Sequence, residues 1–253
     1  MRAIAPNAVT ALALCFGLSG IRFAIAGQWE TAALMVLVAG VLDGVDGRIA
    51  RLVKGESRFG AELDSLSDAI SFGVAPALIL FLWSLIDLPR VGWIIALVHA
   101  LFCALRLARF NAAIDTTEQP HKMAGFLTGI PAPAGAMLAM VPIYLWLWTD
   151  LEVFRSIWVV APWMALTATL MVSSVATYSA ASLKLRPHLR FEAIAVVVVA
   201  AAALVSAPWP TLTVIAIAYL ATIPFSMRSY WRIRRLRDAR PAPASRAPEP
   251  REP

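Results

Sequence analysis

From Glu30 to Ile86 the chain reads ETAALMVLVAGVLDGVDGRIARLVKGESRFGAELDSLSDAISFGVAPALILFLWSLI. Two apolar runs flank a charged middle, and each is long enough for a helix that crosses a hydrocarbon core, which takes roughly 20 residues at about 1.5 Å each. Four aspartates, Asp43, Asp46, Asp64 and Asp68, sit where the runs meet the middle. Asp43 and Asp46 are three apart and project from one helix face; Asp64 and Asp68 are four apart and likewise share a face. Only 17 residues separate Asp46 from Asp64. The two helices are therefore expected as antiparallel neighbours, with four carboxylates converging at one end.

Outward from this hairpin the apolar pattern repeats. Besides Glu30–Ala50 and Asp64–Ile86, spans are expected over Ala8–Ala26, Val91–Phe110, Thr128–Trp148, Trp158–Ala181, Phe191–Ser206 and Trp209–Met227. A 253-residue chain that is 60% hydrophobic and 15% charged, with a mean hydropathy of +0.72, is too apolar for an ordinary soluble domain. The expected fold is all-α: a polytopic transmembrane helical bundle of about eight spans over residues 1–227, then a basic and Pro-rich cytoplasmic tail, 228–253. Pro131, Pro133, Pro142 and Pro224 are candidate kinks, which membrane bundles tolerate.

A net charge of +6 would admit a nucleic-acid partner, but the cations sort by side of the membrane. With the N-terminus cytoplasmic, the inner segments hold Arg2, then Arg48 to Arg58, Arg106 to Lys122, Lys184 to Arg190, and the arginines from Arg228 onward. Arg90 and Arg155 fall outside, and Arg22 lies in the first span, from which it snorkels. The positive-inside rule then puts both termini in the cytoplasm and leaves no case for nucleic acid. Outer turns are short, with Trp29, Trp148 and Trp209 at interfacial depth. Cys15 and Cys103 lie in apolar spans and suggest no disulfide framework. The first apolar run lacks a small-residue cleavage site and is read as retained. In the tail, arginine-dense Ser229–Arg240 suits a helix on anionic headgroups, and PAPASRAPEPREP from Pro241 has a disordered composition.

Clustered carboxylates in a low-dielectric setting repel one another, and a divalent cation between them resolves the conflict. Hard oxygen ligands favour Mg²⁺ or Mn²⁺, and Mg²⁺ usually completes its shell with substrate phosphates and water. Gly44, Gly47, Ala50 and Gly60 leave a side-chain-poor wall for a nucleotide, and Arg51 offers a fork of donors to a phosphate. His99, His121 and His188 have no ligand spacing; His99 is expected to pack within its span.

The whole segment resembles the signature of the CDP-alcohol phosphatidyltransferase family. Asp43, Asp46, Gly47, Ala50, Arg51, Gly60, Asp64 and Asp68 match its eight fixed positions across 26 residues. The resemblance implies transfer of a phosphatidyl group from a CDP-linked lipid, CDP-diacylglycerol, to an alcohol, with release of CMP. It implies two divalent ions held by Asp43, Asp46, Asp64 and Asp68, with Asp68 also the general base. Gly47, Ala50, Arg51 and Gly60 would line the CDP-lipid site. Asn7 and Thr10, in PNAVT, either face the nucleotide or cap the first helix. A homodimer in the cell's inner (plasma) membrane, with a cytoplasmic active site, is also implied.

For the acceptor, Ala69 stands where members that use a phosphate-bearing alcohol generally show a cation. The stretches Ser67–Pro76, Leu105–Asn111 and Gly129–Pro133 are similar to those of the serine-accepting branch. L-serine brings a carboxylate and an ammonium, and Arg106, Arg109 and Asn111 near the end of the fourth span are the candidate acceptor residues. Another phosphate-free alcohol such as choline is the alternative. A cation-coupled transporter, the different class that also buries carboxylates, has no need of DG, AR and the later glycine in this register.

Overall fold

The computed structural model describes residues 4–53, 57–114, 126–173, 175–178 and 190–238. Helix α1 (Ile4–Ile25) turns through Gly27, at φ +71°, into α2 (Trp29–Val53). A continuous rod follows from Arg58 to Leu85: α3 (Arg58–Asp68), a π-helical segment (Ala69–Val74), α4 (Ala75–Leu80) and a second π-helical segment (Phe81–Leu85). Then come α5 (Pro89–Ile114), strand β1 (Phe126–Thr128), α6 (Ala132–Ala139) and α7 (Val141–Thr149). A 3-10 turn (Glu152–Arg155) leads to α8 (Ile157–Val172), β2 (Ala176–Tyr178), α9 (Arg190–Ser206) and α10 (Pro208–Asp238).

The chain is predominantly helical, as its apolar runs require. Four helices are long and apolar enough to cross a membrane, Pro6–Ile25, Arg58–Leu85, Arg90–Ala112 and Pro208–Ser229, and α6 with α7 makes a fifth if their 41° bend lies within one span. The bend has a local cause. Pro142 cannot donate a backbone hydrogen bond, and Met140 leaves the helical region at ψ 1°. Helix α2 has the length to cross but carries Glu30, Asp43, Asp46, Arg48 and Arg51.

Two expected spans differ from the structure. The fifth does not begin helical at Thr128, nor does the sixth stay helical to Ala181. Instead β1 and β2 pair antiparallel, Phe126 with Tyr178, Leu127 with Thr177 and Thr128 with Ala176. Gly129, at φ +74°, makes the turn into α6, and a Cβ there would lie 2.6 Å from the Met171 carbonyl oxygen. Its N–H donates to the Val175 carbonyl at 2.7 Å, and the Thr177 hydroxyl donates to the Gly129 carbonyl at 2.8 Å. These bonds satisfy backbone that a helix would otherwise have satisfied internally.

The first π-helical segment of the long rod also follows from a proline. Pro76 has no N–H, and the Ala75 N–H reaches back five residues to the Ile70 carbonyl. Helix α1 lies directly on this segment. Gly17 packs so closely on it that a Cβ would come within 2.9 Å of the Ser71 Cα. His99 is fully buried beside the same segment, as its place in an apolar run predicts.

At the far end of the rod Arg155 joins several elements. Its Nε donates to the Trp83 carbonyl at 2.9 Å, and the Ser84 hydroxyl donates to the Arg155 carbonyl at 2.6 Å. The guanidinium stands 6.0 Å from the Trp29 ring and 5.9 Å from the Trp146 ring. Since the Trp83 carbonyl belongs to the second π-helical segment, Arg155→Leu leaves a buried acceptor unmatched and removes both cation–π contacts. A loss of about 1–3 kcal/mol is expected. It is measurable as a lower thermal midpoint in detergent, with divalent-ion affinity unchanged, because the acidic end of α2 lies 14 residues beyond Trp29, about 21 Å away.

Candidate active site at the acidic helix ends

Helix α1 packs against both α2 and α3 and brings their acidic ends together. The Ser67 hydroxyl donates to the Thr10 carbonyl at 3.2 Å, and Ser71 donates to the Ala13 carbonyl at 3.4 Å, so two serines of the rod are tied to the α1 backbone. The Ser57 side chain caps α3 by accepting from the Gly60 N–H at 3.0 Å. Set in this way, Asp43, Asp64 and Asp68 each present a carboxylate oxygen, all within 4.8 Å of one another. All three are half-buried.

Asp46 is placed differently. It is buried, at 4% exposure, and its carboxylate faces the Thr10 side chain. Among the described residues nothing donates to its Oδ2. Three converging carboxylates and an orphaned carboxylate oxygen one turn away form an all-oxygen donor set with no cation in contact among the described residues. That set fits a hard divalent ion, which Asp43, Asp64 and Asp68 would hold, with Asp46 in electrostatic reach.

The other residues singled out from the sequence fall into three places. Gly44 and Gly47 face open space, where a Cβ would meet nothing within 4 Å. Ala50 and Arg51 lie on α2, but their side chains are outside the described residues. Gly60 touches Asn7: a Cβ there would be 2.7 Å from the Asn7 Oδ1 and 3.1 Å from the Ser57 Oγ. Asn7 sits within α1 rather than at its cap, and the Thr10 hydroxyl donates to the Pro6 carbonyl at 3.0 Å.

The three α5 residues diverge. Half-buried Arg106 faces Asp68, with its guanidinium 5.6 Å from the Phe110 ring. Arg109 is exposed and donates to the Val172 carbonyl at the end of α8, at 3.3 Å. The Asn111 amide donates to the Ser65 hydroxyl at 2.8 Å, which ties α5 to α3 one residue from Asp64. Ser65 and Ser67 position the aspartates and were not anticipated. Their only sequence signal is their alternation with Asp64 and Asp68.

A family model described as CDP-alcohol phosphatidyltransferase matches residues 3–175, from α1 to the approach to β2. The chain belongs to the CDP-alcohol phosphatidyltransferase family. A second model, CDP-alcohol phosphatidyltransferase 2, matches residues 188–224, through α9 and into α10. Within the family, a Mycobacterium tuberculosis protein named CDP-diacylglycerol–serine O-phosphatidyltransferase is 40% identical over 226 residues, 89% of this chain and 79% of its own length. The Mycobacterium leprae protein of that name is 39% identical over 89% of this chain and 75% of its own. A Helicobacter pylori protein, also so named, is 39% identical over 140 residues, 55% of this chain and 57% of its own. In this CDP-alcohol phosphatidyltransferase, Asp43 of the carboxylate cluster and the open positions of Gly44 and Gly47 lie together near the end of α2.

Proposed function

We propose that this chain transfers the phosphatidyl group of CDP-diacylglycerol to the hydroxyl of L-serine, forming phosphatidylserine and releasing CMP. Its similarity to serine O-phosphatidyltransferases across 89% of the chain carries this reading. The meeting of Asp43, Asp64 and Asp68 supports it.

In this reading Asp68 takes the proton of the acceptor hydroxyl. The freed oxygen forms a bond to the phosphatidyl phosphorus as the bond from that phosphorus to the CMP oxygen breaks. Two divalent ions, Mg²⁺ or Mn²⁺, held by Asp43, Asp46, Asp64 and Asp68, neutralise charge on the diphosphate when bound. Gly47 and Ala50 leave room for the nucleotide, Gly60 lets Asn7 approach α3 closely at its edge, Arg51 pairs with a phosphate, and Asn7 and Thr10 border the same space. Arg106 faces the acceptor side, while Asn111 keeps α5 in register with α3. Arg109 is the weaker acceptor candidate, since it is engaged with the α8 carbonyl.

The wider assignment is an eight-span inner-membrane protein over residues 1–227, with both termini and the acidic end cytoplasmic, acting as a homodimer. Arginine-rich α10 beyond the last span lies against anionic lipid, ahead of the Pro-rich end. The deciding experiment incubates the purified protein with CDP-diacylglycerol and a panel of labelled alcohols. CMP release with serine alone is expected. Turnover with choline in place of serine, or with neither, overturns the assignment.

A further inference from the structure

Helix α10 brings Tyr219 to the side of the site. Tyr219 packs against the buried cluster that includes Phe72, Cys103, Leu107 and Met171, and its hydroxyl oxygen is buried with no hydrogen-bond partner among the described residues. Thr177 lies beside it without forming a hydrogen bond to it, and gives its own proton to the Gly129 carbonyl. The Arg106 guanidinium is also within electrostatic reach of Tyr219, and in turn faces Asp68. Among the described residues no carboxylate makes an ion pair with Arg106. A buried unmatched phenol costs stability, and a half-buried guanidinium without a contacting anion does so as well. Together they form a set of donors waiting for an acceptor, one residue removed from the proposed base.

We infer that the Tyr219 hydroxyl and the Arg106 guanidinium jointly bind the carboxylate of the acceptor, making Tyr219 a specificity residue of the transfer reaction. The inference rests on the serine reading. A carboxylate has two oxygens to satisfy, and a guanidinium fork from α5 with a phenolic O–H from α10 supplies donors to both. In serine the carboxylate carbon is two carbons from the reacting hydroxyl. An acceptor anchored at Arg106 therefore keeps its hydroxyl close to Asp68. An alcohol without a carboxylate would leave Tyr219 unmatched and gain nothing from it, so the pair selects for an amino acid over a simple amino alcohol.

The test is Tyr219→Phe in the full-length protein, assayed for serine and CDP-diacylglycerol separately. The KM for serine is expected to rise about tenfold, as for loss of one hydrogen bond to a charged group. The KM for CDP-diacylglycerol and kcat should stay within about twofold. The thermal midpoint should hold or rise, because the lost hydroxyl has no hydrogen-bond partner among the described residues. An unchanged serine KM, a shift in the CDP-diacylglycerol KM instead, or a lower midpoint overturns the inference. If the unsubstituted protein does not use serine at all, the serine reading itself falls, which is a separate outcome.

Discussion

Asp68→Asn is expected to reduce CMP release by about 10²- to 10⁴-fold, the range for loss of a positioned general base, while binding of CDP-diacylglycerol persists. The substitution keeps the shape of the side chain and removes its capacity to take a proton. Asp68 closes α3 where the helix passes into the π-helical segment, so its carboxylate is held by a rod that Ser67 and Ser71 tie to α1. It is the member of the acidic trio that faces Arg106. A residue that only bound metal would, when changed, be rescued by raising the ion concentration; a base would not. The measurement is therefore turnover of the purified variant across a divalent-ion titration, beside direct binding of the CDP-lipid. Turnover restored at high ion concentration would assign Asp68 to the metal alone, and turnover undiminished throughout would remove it from the mechanism.

The acidic hairpin is legible in the sequence because its residues are costly where they stand. Aspartates and glycines at the ends of apolar helices lower both propensity and burial, and their spacing of three and four fixes which of them share a face. What spacing reports is the direction of a Cβ, not the destination of a long side chain. Arg106 and Arg109 share a helix face, yet one turns to Asp68 and the other to the carbonyl end of α8. Asn111 shows the same limit, because the hydroxyl it meets belongs to a residue 46 positions away.

The strands escaped for a related reason. PHKMAGFLTGIPAPAG and LMVSSVATYSA continue the hydropathy of the spans next to them, and only the pairing of Phe126–Thr128 with Ala176–Tyr178 reveals a ladder. Tyr219 was equally hidden. A single tyrosine in an apolar helix reads as packing until a guanidinium and a hydroxyl are found beside it. The end of the last span reads differently: composition changes at Arg228, and the helix continues through the arginine-dense stretch, which suits a helix, to Asp238.

Asp43→Asn and Asp64→Asn are expected to raise the half-saturating concentration of Mg²⁺ or Mn²⁺ by about 100-fold or more. Each removes one negative charge from the three oxygens that lie within 4.8 Å of one another. At 4 Å and an effective dielectric of 20, a pair of unit charges interacts by about 4 kcal/mol. A divalent ion doubles the attraction, and desolvation returns part of it, so about 3 kcal/mol net, roughly 100-fold in affinity, is a modest expectation. Because α2 supplies Asp43 and α3 supplies Asp64, equal effects from the two would mean that the ion is bound across the helices rather than on one. Binding of Mn²⁺ to the lipid-free protein measures this without turnover. Asp46→Asn belongs in the same series: its Oδ2 is buried and lacks a donor, so a shift there would join it to the ion site. Unchanged affinity in both Asp43→Asn and Asp64→Asn would mean that the trio holds no ion, and the diphosphate would need another source of positive charge.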